Sequence, residues 1–337
     1  MTRTMRAAML TSAQHFDIVQ RPVPEPWDGS SLIAIKCAGI CGGDLQQYRR
    51  ATGAQPFIPG HEGCGTVVQA PGQDALVGLR VVFDPQVHWC GHCGWCARGN
   101  TELCQQRQYL GAQCDGTFAE YVVVPNDRLY PIPETMTWDE AASVHGLAGP
   151  IFASQRFTHE IGESVLVLGP GAAGLLFVQL AKHCHGASGV MLAGRSPHRL
   201  ALGAELGADA VVNTLTENLA EQVAAWTGRR GADVIIETTG SPQLRQDLAA
   251  LAAPRARVLS YATGAIGFDS LKSMSVHGTT GATRSMQPAL DLITSGRVRT
   301  APLISHRYRL EEIQQAFDTA IADGKGDYVK GVLVFAD

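Results

Sequence analysis

Hydrophobic and polar positions fall into three textures along the chain. Up to about residue 150 short β patterns recur, at Met5 to Leu10, Ser31 to Cys37, Gly65 to Gln69 and Glu120 to Val124. Turn-forming stretches such as Pro22 to Pro26 and Pro71-Gly72 separate them, which predicts an irregular β domain. From Ile151 the pattern changes to alternating strands and helices. Val165 to Leu168 is a continuous apolar run, suited to a parallel strand covered on both faces, and it leads into a helix of about 12 residues and a second strand. Val211-Val212 predicts a short strand and Glu217 to Trp226 a helix. Strands are expected at Asp233 to Glu237 and Arg257 to Tyr261, around a helix opened by Ser241-Pro242, an N-cap followed by a first-turn proline. This segment reads as a doubly wound α/β unit with a parallel sheet. Near Pro302 the texture changes again: Leu310, Ile313, Phe317 and Ile321 lie at helical spacing and Gly331 to Phe335 makes a last strand, so the tail is expected to rejoin the first domain. The resulting division is 1–150, 151–299 and 300–337. The chain holds no internal repeat and no low-complexity segment.

The turn after Leu168 gives the α/β unit its chemistry. Gly169, Gly171 and Gly174 form G-x-G-x-x-G, with Ala172 and Ala173 between them. The first glycine permits a sharp turn, the second lets a pyrophosphate approach the backbone, and the third lets the helix pack on its strand. The free N–H groups of that helix then face the phosphates. About 20 residues on, a protein that binds NAD would show Asp or Glu for the ribose diol. This chain shows Gly194, Arg195 and Ser196, so a 2′-phosphate meets no repulsion and finds a guanidinium fork and a helix N-terminus. NADP(H) is therefore favoured over NAD(H), with Arg199, one helical turn on, as a further cation for the same anion. A loop that accepts either cofactor is the alternative.

A chain of 337 residues usually makes two domains, since single cores seldom exceed about 250–300 residues. The net charge of −4, with no basic block, argues against nucleic acid as a partner, and no apolar run reaches the length of a membrane span. The N-terminus lacks the apolar core of a signal peptide, which places the protein in the cytoplasm. Nine cysteines there point to metal or thiol chemistry before disulfides.

Cys90, Cys93, Cys96 and Cys104 place four thiols in one loop, enough to close a tetrahedron round structural Zn²⁺; an iron–sulfur cluster or a redox loop is the rival reading. His88 and His92 have no necessary role there. Cys41, His61 and Glu62 form a dispersed set suited to a zinc site that keeps one position open, and Asp44 is placed to accept the other ring N–H of His61. Taken singly, Cys41 also reads as a small core residue and His61-Glu62 as a turn. Gln46, Gln47, Tyr48 and Arg49 suit either a pocket lining or a solvated helix face. His183 and His185, flanking Cys184, read as cations at a helix C-terminus. Cys37, Cys64 and Cys114 read as buried thiols.

The order AGICGGD, PGHEGCGTVV, the cysteine loop, VLVLGPGAAG and GADVIIETTG resembles the zinc-dependent medium-chain dehydrogenases over nearly the whole chain. The likeness is nearest on the polyol, sorbitol and threonine dehydrogenase side, and CGGDLQQYR is also similar to aminocyclitol dehydrogenases. It implies a GroES-like catalytic domain, built from the N-terminal part and the tail, round a Rossmann domain, with catalytic zinc at Cys41, His61 and Glu62 and a homodimeric or homotetrameric assembly. Two departures stand out. Gly43 occupies the place where the family carries a hydroxyl for proton relay, and His145 the place where many polyol dehydrogenases carry Glu. His145 is thus a candidate proton relay, with metal ligation and core packing as alternatives. The expected activity is hydride transfer between NADP(H) and a polar secondary alcohol or ketone. A zinc-independent enone reductase and a non-catalytic NADPH-binding protein are the competing readings.

Overall fold

A computed structural model describes residues 3–50, 56–262, 272–279, 281–282, 284–323 and 326–336. A six-stranded, wholly parallel sheet runs in the order Ala210–Asn213, Gly189–Gly194, Ser164–Leu168, Ala232–Glu237, Ala252–Ser260 and Ser275–Gly278. The strand order reverses at Ser164–Leu168, so a crevice opens beyond the carboxyl ends of that strand and Ala232–Glu237. Every residue of Ser164–Leu168 and Gly189–Gly194 is buried, as two-sided helix cover requires.

The second sheet has seven strands, in the order Ile304–Arg309, Lys330–Val334, Ser30–Gly39, Glu62–Gln69, Arg80–Phe83 and Leu129–Pro131, with Tyr121–Pro125 also paired to Ser30–Gly39. Lys330–Val334 lies antiparallel to Ser30–Gly39, which brings the tail of the chain back to its first third. Glu62–Gln69 starts three residues before the β pattern does. Glycines hide that start: a Cβ on Gly65 would lie 2.0 Å from the Ala34 carbonyl oxygen, so close strand contact has removed the side chain that marks a strand.

Three further boundaries differ from the pattern. The helix expected at Glu217 begins at Leu219, because the Asn218 side chain caps it, accepting from Ala220 N at 3.0 Å and Glu221 N at 3.3 Å. The strand expected at Arg257 extends back to Ala252 through Arg255 at φ +65°. The helix Val144–Ser154 carries Pro150 inside it, and residues 150 and 151 both lie within it. That proline masks the helix in the sequence.

His183 ends the helix Ala172–His183, but His185 is not a surface cation. Its ring stacks on His159 with centroids 3.9 Å apart and planes 7° from parallel, and its Nε2 is buried without a partner among the described residues. Burial, then His159, pushes His185 down to about 4; burial, then Arg257, also lowers His159. The folded value lies below the ordinary value near 6.5, so the unfolded chain takes up a proton that the folded chain refuses. This contribution to stability is whole above about pH 6.5 and declines as pH falls towards about 4. Discounted for partial exposure, the decline is about 1–2 kcal/mol. His185→Phe should flatten it, and urea unfolding at pH 7.5 and 5 is the measurement; an unchanged pH slope contradicts the neutral stack.

Candidate active site

The four-cysteine loop is folded round its sulfurs. Cys93 and Cys96 Sγ lie 3.5 Å apart, Cys90 and Cys104 3.6 Å, and Cys90 and Cys96 3.9 Å. A tetrahedron with Zn–S bonds of about 2.3 Å has edges of about 3.8 Å, so the donor set fits zinc as it stands. Backbone N–H groups of His92 and Cys93 pull the Cys90 thiol down to about 6, towards the thiolate a metal needs. His92 turns aside, with Nδ1 2.7 Å from the Cys90 carbonyl oxygen.

The dispersed set also converges. Cys41 precedes the helix Gly42–Arg50, while His61 and Glu62 enter the strand Glu62–Gln69, and their ligand atoms all lie within 4.8 Å of one another. Asp44, fully buried, fixes two of the three. Its Oδ2 accepts from Cys41 N at 2.8 Å and its Oδ1 lies 3.2 Å from His61 Nδ1, leaving Nε2 as the ligand atom of the ring. Burial opposes charge on His61, yet Asp44 and Cys41 outweigh it and raise the ring well above its ordinary value. Glu62 is ion-paired with buried Lys330; burial opposes its charge, but Lys330, then His61, holds it below the ordinary glutamate value. Soft thiolate, imidazole and carboxylate at this spacing suit zinc.

His145 stands beside this set and outside it. Its ring packs edge-on to His61 with centroids 5.3 Å apart, and its Nε2 lies 2.8 Å from the Tyr109 hydroxyl. Nδ1 is buried with no partner among the described residues. Burial, then His61, pushes His145 down to about 3, so the ring is neutral. A Cβ on Gly43 would lie 3.9 Å from both Cys41 Sγ and His61 Cε1, so the place of the absent hydroxyl is open. Tyr48 points the other way: its hydroxyl donates to Asp318 at 2.7 Å and its ring stacks on Phe16, so it is core. Gln46 lines the cleft, Gln47 donates to the Gly111 carbonyl at 3.1 Å, and Arg49 is exposed.

One cavity of about 1070 Å³ runs from Cys41 and Glu62, past the glycine turn with Ala172 and Ala173, to Gly194, Arg195 and Ser196. Its glycines meet the three demands of a dinucleotide turn. Gly169 has φ +105°, a Cβ on Gly171 would touch nothing, and one on Gly174 would lie 1.8 Å from the Gly169 carbonyl oxygen. A Cβ on Gly194 would lie 2.2 Å from Pro170 Cδ, so the proline ring fills the space an acidic side chain would need there. Arg195 is exposed and makes no hydrogen bond among the described residues. Arg199 also lines the cavity, and donates to the carbonyls of Asp323 at 2.7 Å and Gly326 at 3.1 Å. Ser196 caps its helix by accepting from Arg199 N at 3.3 Å.

Three members of the site were not singled out from the sequence. Tyr109 holds His145. Tyr261 lines the cleft, where burial and the charges of Cys41 and Glu62 raise it. Lys330 neutralises Glu62; its signal was a lone cation at the edge of an apolar run.

Among the described residues no helix is long and apolar enough to cross a membrane. Residues 28–134 match the family described as alcohol dehydrogenase GroES-like domain, and residues 172–295 match zinc-binding dehydrogenase. An L-threonine 3-dehydrogenase of Pyrococcus furiosus is 33% identical over 355 residues, covering 98% of this chain and 99% of the relative. A sorbitol dehydrogenase of Bacillus subtilis is 29% identical over 337 residues, covering 95% and 94%. A zinc-binding dehydrogenase of Sinorhizobium meliloti 1021 bound to NADP superposes with TM-score 0.89 at 29% identity, covering 99% of this chain and 100% of that one. An alcohol dehydrogenase of Escherichia coli CFT073 complexed with NADH superposes with TM-score 0.89 at 28% identity, covering 98% and 99%. A GroES-like unit, a Rossmann-type unit and two zinc-type donor sets thus meet in one chain, which belongs to the zinc-containing medium-chain alcohol dehydrogenases.

Proposed function

We propose that the protein transfers a hydride between NADP(H) and a polar secondary alcohol or its ketone, of polyol, cyclitol, aminocyclitol or amino-alcohol type. The observation that carries this reading is the single cavity joining Cys41 and Glu62 to Arg195. The threonine and sorbitol activities of the relatives support the substrate class. In this reading residues 1–150 with 300–337 form the catalytic domain, 151–299 the cofactor domain, and the assembly is a homodimer or homotetramer.

When bound, zinc at Cys41, His61 and Glu62 supplies a Lewis acid that acidifies an alcohol hydroxyl, and the nicotinamide supplies the hydride acceptor. The chain supplies placement. Asp44 orients His61, Lys330 balances Glu62, and Tyr109 holds His145 where its unpartnered Nδ1 can accept a proton while Nε2 faces a hydroxyl. A screen of secondary alcohols, polyols, cyclitols and amino alcohols with both cofactors, alongside zinc analysis, tests the reading. About two zinc ions per chain and turnover on such alcohols are expected; about one zinc ion with enone reduction would replace it.

Relatives carrying NADP and NADH superpose equally well, so the cofactor choice rests on this chain's own residues. Exposed Arg195 and the Gly194 position closed by Pro170 support NADP(H). Arg195→Ala should weaken NADPH binding by about 1.5–3 kcal/mol, the scale of charge-assisted hydrogen bonds, and barely alter NADH binding. Fluorescence titration of both reduced cofactors checks this, and equal losses would reject the 2′-phosphate assignment.

A further inference from the structure

The strand Ala232–Glu237 ends in a carboxylate that is 0% exposed, and eight residues later Arg245, 2% exposed, turns back onto it. Arg245 Nε donates to Glu237 Oε2 at 2.8 Å and Nη2 approaches it at 2.7 Å. The same Nη2 donates to the Ala262 carbonyl at 2.5 Å. The other oxygen, Glu237 Oε1, accepts from Thr239 N and Thr239 Oγ1, both at 2.6 Å, and from Gly240 N at 2.9 Å. The main-chain carbonyl of Glu237 takes Tyr261 N at 2.9 Å and Ala262 N at 3.3 Å. One ion pair therefore fixes two separate stretches, Thr239-Gly240 and Tyr261-Ala262, and all four residues line the cofactor cleft.

Stability alone does not account for the pair. A buried ion pair often gains nothing over well-packed apolar residues, and Arg245 Nη1 is buried without a partner among the described residues. What an apolar pair would lack is direction, because a carboxylate aims several backbone donors at once. The geometry also says which part of the cofactor is served. In a doubly wound sheet the dinucleotide straddles the switch point; Gly194 and Arg195 end a strand on one side of Ser164–Leu168, and Glu237 ends the strand on the other. With the adenosine end at Arg195, the Thr239-Gly240 wall faces the nicotinamide half. We propose that Glu237 and Arg245 are positioning residues that hold the wall of the nicotinamide subsite. The inference rests on the family's dinucleotide-binding mode and not on the choice between NADP and NAD.

The test uses Arg245→Met combined with Glu237→Gln, which leaves no bare buried charge and keeps an amide oxygen for Thr239 and Gly240. Titrations of the zinc-loaded protein with NADPH, NADH and 5′-ADP separate the two halves of the cleft. Both reduced cofactors should bind about tenfold more weakly, the scale of one lost hydrogen bond, while 5′-ADP stays within about twofold of native. Arg245→Lys should fall between, since an ammonium keeps the charge but loses the planar fork that meets Glu237 Oε2 through Nε and Nη2 together. Native affinity for the reduced cofactors overturns the proposal. So does an equal loss for 5′-ADP, which would mark general loosening of the domain. Should the double variant not fold, the same comparison on Arg245→Lys decides.

Discussion

His145→Ala should lower turnover by about 10²–10⁴ while zinc stays at its native content, the range for losing a positioned proton carrier. The ring's place dictates this outcome. Its nitrogens lie outside the cluster of Cys41, His61 and Glu62 donor atoms, so a bound metal would keep its three ligands. Its Nε2 is held by Tyr109 and its Nδ1 has no partner among the described residues, so a neutral ring can accept a proton at one nitrogen as it releases one from the other. Tyr109→Phe should reproduce part of the loss, because the ring keeps its packing but loses the hydroxyl that orients it. Steady-state kinetics with elemental analysis are the measurements. Zinc lost only from the Cys41 site would instead make His145 a ligand, and native turnover with full metal would leave it as packing.

Cys93→Ser should cost several kcal/mol and loosen the segment from Cys90 to Cys104, because metal binding and local folding are coupled there. Cys93 does two things at once. Its sulfur is 3.5 Å from that of Cys96, and it caps the short helix Gly94–Ala97 by accepting from Cys96 N. Serine can keep the cap but binds zinc poorly, so the loss separates the metal's share from the cap's. Thermal melts and zinc analysis of the purified variant decide the matter; native zinc content with a native melting curve would remove the structural site.

Chemistry written into local spacing was legible in the sequence, and chemistry assembled across the chain was not. The glycine turn and the four cysteines depend on residues that are neighbours in fixed motifs, whereas spacing alone left the dispersed Cys41, His61 and Glu62 set open until the family resemblance joined it. Asp44 was readable from its place three positions from Cys41. Tyr109 and His145 are 36 residues apart, and nothing in either segment names the other. Glu237 and Arg245 are closer, yet the pattern shows only a carboxylate ending an apolar strand and a cation in a helix, and neither reveals that both are buried. Strand starts blurred wherever close backbone contact had exchanged side chains for glycine, as at Gly65. Arg199, which lines the cofactor cleft beside Arg195, also donates to carbonyls of a segment more than 120 residues away, a contact no local pattern encodes.

The ion pair between Lys330 and Glu62 spans 268 residues of sequence, and the strand carrying Lys330 closes onto Ser30–Gly39. A ribosome adding about 5–20 residues per second would therefore leave the seven-stranded sheet incomplete, with the Glu62 carboxylate unbalanced, for many seconds before Lys330 emerges. The parallel sheet, whose strands lie between Ser164 and Gly278, is complete well before then. Synthesis order thus favours a nascent chain in which the nucleotide-binding half matures first and the metal-binding half waits, open to premature aggregation and mismetallation, until Lys330 arrives.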